Sequence, residues 1–77
     1  PLKQAVDRAE NALEKLQAEQ QALEGQLADG SLYEADAMAR LAGLLQRKAD
    51  VDRQVEDAEL AWLRAADALE QAESQLG

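Results

Sequence analysis

The chain has no cysteine, no histidine and no phenylalanine, one proline, and only two aromatic residues, Tyr33 and Trp62, among 77. Without cysteine it can form no disulfide and offer no thiolate nucleophile or thiolate metal ligand. Without histidine it has no imidazole base and no Cys/His zinc site. A cysteine-free chain fits a reducing compartment. No apolar run approaches the roughly 20 residues that cross a bilayer, and Pro1-Leu2-Lys3-Gln4 is unlike a secretory signal. The expectation is a cytoplasmic protein with no membrane partner. Cations are also scarce: 8 Lys and Arg stand against 16 Asp and Glu, for a formal charge of -8. That balance argues against a uniformly basic nucleic-acid surface and against polybasic membrane attachment. The phosphate loop G-x-x-x-x-G-K-[ST], the G-x-S-x-G elbow and the H-E-x-x-H pair are all missing. The acidic residues fall at outward positions such as Asp7, Glu10, Glu14, Asp57 and Glu73, as a solvated face requires, so no metal is expected. The domain is read as not an enzyme, with no cofactor of its own.

What the chain does have is a 4,3,4,3 spacing of apolar residues in two runs. The first is Leu2, Val6, Ala9, Leu13, Leu16, Gln20, Leu23 and Leu27. The second is Leu41, Leu44, Lys48, Val51, Val55, Ala58, Trp62, Ala65, Leu69, Ala72 and Leu76. A 3.5-residue repeat with polar residues elsewhere is the mark of helices wound together through a narrow a/d seam. Only Gln20 and Lys48 interrupt it. A polar residue at such a position fixes register or oligomer state at some cost in stability, and a lysine can lay its stem along the seam with its ammonium in water. Trp62 falls in the seam and reads as a core layer whose indole N–H needs an outlet at the edge.

The predicted architecture is all-α: a two-helix antiparallel coiled-coil hairpin filling residues 1–77 as a single domain. The first helix is expected at about 2–28, the tip at 29–36 and the second helix at about 37–75. Gly25 marks a close approach or early fraying in the first helix. Gly30 is expected to take a positive φ just beyond that helix. Ser31-Leu32-Tyr33-Glu34 has the spacing of a capping box, and Asp36 is a second N-cap candidate. Two registers, one heptad apart, close the hairpin. The preferred one sets Ala9 opposite Trp62, Leu16 opposite Val55, Leu23 opposite Lys48 and Leu27 opposite Leu44; the other sets Leu2 opposite Trp62.

The strongest functional signal is a local charge asymmetry. From Ala37 to Ala49 there are three cations, Arg40, Arg47 and Lys48, and no acid, with Arg53 just beyond. Arg40 and Arg47 are seven residues apart and share a helix face. A basic closed end would offer these four residues to phosphate. The competing reading pairs the cations with Glu19 and Glu24 of the first helix. Off the seam, Leu45, Leu60 and Leu63 are candidates for an apolar strip through which a homodimer could form.

Leu27-Ala28-Asp29-Gly30-Ser31-Leu32-Tyr33-Glu34-Ala35-Asp36 resembles the tip segment of the C-terminal coiled-coil domain of ABC-F ATPases of the Uup type, where Leu-Ala-Asp-Pro-x-Leu/Phe-Tyr precedes a second Asp. Ala61-Trp62-Leu63 resembles the Trp-containing segment downstream in the same domain. Gly30 and Ala37 depart from it, standing where the family commonly has Pro after Asp, and the family domain is richer in Lys and Arg. The resemblance implies a piece of a larger ATPase, and a first residue that is Pro rather than Met fits the expectation of a piece excised from a longer protein. ATP and magnesium then belong to the parent's nucleotide-binding domains, which become this domain's partners. It further implies contact with DNA or ribosomal RNA. The alternative is a structural spacer or protein-docking coiled coil without nucleic-acid contact.

Overall fold

The computed structural model describes residues 1–76, the side chain of Ala35 excepted; Gly77, the last residue of the expected domain, lies outside them. Helix α1 spans Leu2–Leu27, 3₁₀ turns cover Gly30–Tyr33 and Ala35–Ala37, and helix α2 spans Met38–Leu76. The whole is a rod of 62 × 15 × 14 Å. Its length is that of α2 itself, since 39 residues at 1.5 Å each give about 58 Å.

Ala, Leu, Glu, Gln and Arg dominate both helices and favour them intrinsically, but the packing comes from the seam. Every seam residue except the terminal Leu2 and Leu76 is buried or half-buried. Leu23, Val51 and Val55 form the deepest cluster, with Leu13, Leu16 and Leu44 packed against it. Leu23, Leu44 and Val51 lie toward the closed end, and Leu13 lies near the middle of the rod. Around Val6, Ala9, Trp62 and Ala65 the seam is half-buried.

The closed end departs from expectation in its details. No described residue, glycine included, has a positive φ. Ala28 is still right-handed helical and Asp29 is extended, with φ -73° and ψ 117°. The chain thus leaves α1 through Asp29 and enters a 3₁₀ turn at Gly30 without needing left-handed glycine geometry. Asp29 also takes the capping role: its Oδ1 accepts the Ser31 N–H at 3.1 Å, as Asx side chains do at turns. Leu32, 2 % exposed, is buried at the closed end, in a 3₁₀ turn that packs against α2. The Tyr33 hydroxyl donates to the Leu27 carbonyl at 3.0 Å, satisfying one of the acceptors that a helix C-terminus leaves open. Asp36 lies inside the second 3₁₀ turn, so α2 begins at Met38, after both cap candidates. Gly25 makes no close approach, since a Cβ built there meets nothing within 4 Å.

Candidate nucleic-acid interface

The four candidate cations divide into two classes. Arg47 is engaged by Glu19 across the helices: its Nε donates to Oε1 at 2.8 Å and a second guanidinium nitrogen donates to the same oxygen. Lys48 is the most enclosed, its side chain 23 % exposed. Its Nζ donates to both carboxylate oxygens of Asp52, at 2.9 and 2.8 Å, and lies 3.8 Å from Glu24 of α1. The competing charge-pairing reading therefore accounts for these two residues. Arg40 and Arg53 make no salt bridge among the described residues.

The seam explains this division. Glu19 and Arg47 occupy the same flank of the coiled coil; seven residues toward the tip on each helix, that flank sets Gln26 opposite Arg40. A neutral amide stands where Arg40 would need a carboxylate. The Asp29 carboxyl is held below its usual range by the backbone N–H of Ser31, then by the Ser31 side chain, with Arg40 adding a weaker attraction.

Gln20 and Lys48, the two polar interruptions of the seam, prove to be joined. The Gln20 Nε2 donates to Asp52 Oδ1 at 2.8 Å, and Lys48 binds the same carboxylate. Hydrogen bonds from Gln20 and then Lys48 hold the Asp52 carboxyl below the usual carboxylate range, and the bond to Asp52 raises the Lys48 ammonium above its usual value. Asp52 is the residue that sequence reasoning missed. Its available signal was the four-residue spacing from Lys48, which places two opposite charges on one helix face.

The same bonds settle the register. Gln20 reaches Asp52 and Lys48 reaches Glu24, as they do when Gln20 lies level with Val51 and Leu23 level with Lys48. Carried along the heptads, this is the register that sets Ala9 opposite Trp62. Trp62 is half-buried in the seam, but its indole nitrogen is buried with no hydrogen-bond partner among the described residues, so the expected outlet is absent. Leu45, Leu60 and Leu63 are half exposed, yet Asp52 and Glu56 stand on the same face between Leu45 and the other two and interrupt the strip.

No group of His, Cys, Asp and Glu among the described residues is arranged to hold a metal ion. No described helix is long and apolar enough to cross a membrane. A family model described as ABC transporter C-terminal domain matches residues 2–67, both helices and the closed end included. Searches of curated proteins and of solved structures gave no match.

Proposed function

Because the chain belongs to the ABC transporter C-terminal domain family, we propose that it is the coiled-coil arm of an ABC-F ATPase of the Uup type, whose closed end contacts the phosphates of DNA or ribosomal RNA. The observation that supports this is Arg40, a cation in an acid-free stretch at the end of the rod, opposite neutral Gln26 and without an ion pair among the described residues. Arg53 is the second available cation. Arg47 and Lys48 can join a contact only by giving up Glu19 and Asp52. ATP and magnesium act in the parent's nucleotide-binding domains, against which this arm would move.

Fluorescence anisotropy with a branched DNA and with an RNA stem-loop tests the reading. Binding should be weak and fall steeply with salt, and Arg40→Glu should abolish it. Gln26→Glu is the gentler test, because it leaves every cation in place and gives Arg40 a partner. It should weaken binding and lower the slope of log affinity against log salt by about 1, as loss of one phosphate contact does. An unchanged slope in Gln26→Glu would remove Arg40 from the interface.

A second reading, the spacer or protein-docking arm, is favoured by one observation. Residues 19–49 carry five carboxylates, Glu19, Glu24, Asp29, Glu34 and Asp36, against three cations. The closed end is therefore net negative even though its α2 side is basic. Absence of binding to either nucleic acid at low salt would leave this reading in place.

A further inference from the structure

We infer that Gln20 and its acceptor Asp52 form a register latch, which fixes the heptad of α1 that lies against each heptad of α2 and so decides which arginine of the closed end is left unpaired. The apolar seam alone does not make this choice. A slide of seven residues keeps apolar opposite apolar along most of its length: Leu2 would face Trp62, Leu13 would face Val51 and Leu23 would face Leu41. The polar seam residues do make it. In the observed register Gln20 and Lys48 lie in adjacent layers and converge on one carboxylate, with Lys48 also 3.8 Å from Glu24 of α1. After the slide Gln20 would face Leu44, two heptad layers from Asp52, and Lys48 would face Leu16. The Lys48–Asp52 bonds lie within α2 and would survive; the Gln20 amide would lose its acceptor while still enclosed.

The consequence reaches the closed end. In the observed register Glu19 engages Arg47 and leaves Arg40 opposite Gln26. One heptad away, Glu19 would meet Arg40, and Arg47 would stand opposite Ala12. The latch thus selects the exposed cation whatever that cation contacts, so this inference does not depend on the nucleic-acid reading.

The chain's lack of cysteine makes cross-linking a direct test. Val6 shares a layer with Ala65 in the observed register and with Ala58 in the shifted one. Two double variants, Val6→Cys/Ala65→Cys and Val6→Cys/Ala58→Cys, are oxidised with glutathione disulfide, and intramolecular cross-links are quantified by mass spectrometry. In the native background only the first pair should link. Gln20→Leu removes the penalty on the shifted register and should raise the second pair's yield relative to the first by about tenfold or more, the ratio expected when an enclosed polar group no longer disfavours one state. Asp52→Ala, which leaves the amide unpaired in both registers, should raise it too. If the second pair stays uncross-linked in both backgrounds, the 3₁₀ turns alone set the register and the inference is wrong.

Discussion

Replacing Gly43 with alanine should stabilise the hairpin by about 1 kcal/mol, because glycine inside a helix costs roughly that much relative to alanine and nothing in this structure repays it. A Cβ built on Gly43 meets no atom within 4 Å, its φ is not positive, and it lies on an exposed face five residues into α2. No steric, strain or burial effect therefore offsets the gain in helix propensity. Gly25 passes the same test but stands two residues from the end of α1, where fraying reduces the benefit to roughly half. The sites lie on different helices and share no contact, so the double variant should gain about 1.5 kcal/mol by simple addition. In a domain of this size 1 kcal/mol moves the melting midpoint by roughly 4–8 °C. Urea titration followed by far-UV circular dichroism should show a raised midpoint with unchanged slope, the signature of altered stability without altered compactness. A fall in midpoint for Gly43→Ala would refute the reasoning and indicate that an approach to this face, absent from the monomer, requires glycine.

Three further predictions follow from the seam and the closed end. Gly30→Pro should stabilise by about 0.4–1 kcal/mol, as proline does where the native backbone already suits it. Asp29 is already in the extended region that a following proline enforces, and no backbone bond of the turn uses the Gly30 N–H; a lowered melting temperature would contradict this. Trp62→Phe should stay within about 1 kcal/mol of the parent, far below the 3–5 kcal/mol typical of truncating a core tryptophan to alanine. The loss of ring area is offset by removing the unpartnered indole N–H, which is itself costly when buried; a loss well above 2 kcal/mol would show that the N–H has a partner. For pH, the depressed Asp52 carboxyl contributes stability above its unfolded value near 4 and loses it as the pH falls through the folded value. The raised Lys48 ammonium contributes below about 10.4 and loses its contribution as the pH rises through its own folded value. Stability should therefore hold between roughly pH 5 and 9 as far as this pair is concerned, and Asp52→Asn should flatten the acid limb relative to the parent chain in pH-dependent melts.

The hairpin was legible because a repeat of 3.5 residues leaves one solution for a chain that must bury a narrow stripe, and the seam positions from Val6 to Ala72 are the enclosed ones. Helix ends were legible to within a residue or two, since Asp29-Gly30-Ser31 breaks any helical pattern. The conformation of the break was not. Gly30 permits a left-handed turn, but Asp29 offers an Asx cap and Leu32 an apolar side chain to bury, and together these favour a 3₁₀ turn that encloses Leu32 at the closed end. Local propensity showed where the chain must turn; the choice of turn came from what it could bury.

The division among the cations was hidden for a related reason. A run of positions without acids looks basic along one strand of sequence, whereas charge is set by what lies opposite. Arg47 meets Glu19 because the two share a flank, and Lys48 is drawn to Asp52 within its own helix and toward Glu24 across the seam. Arg40 makes no salt bridge among the described residues, and the heptads set the amide of Gln26, not a carboxylate, opposite it. That single difference can be read from sequence once the register is known, and the register depends on Gln20 finding Asp52. Gln20, one of the two residues that spoil the heptad repeat, is thus the one whose bond across the helices to Asp52 favours a single alignment, and through that alignment it sets which arginine of the closed end lies opposite a carboxylate.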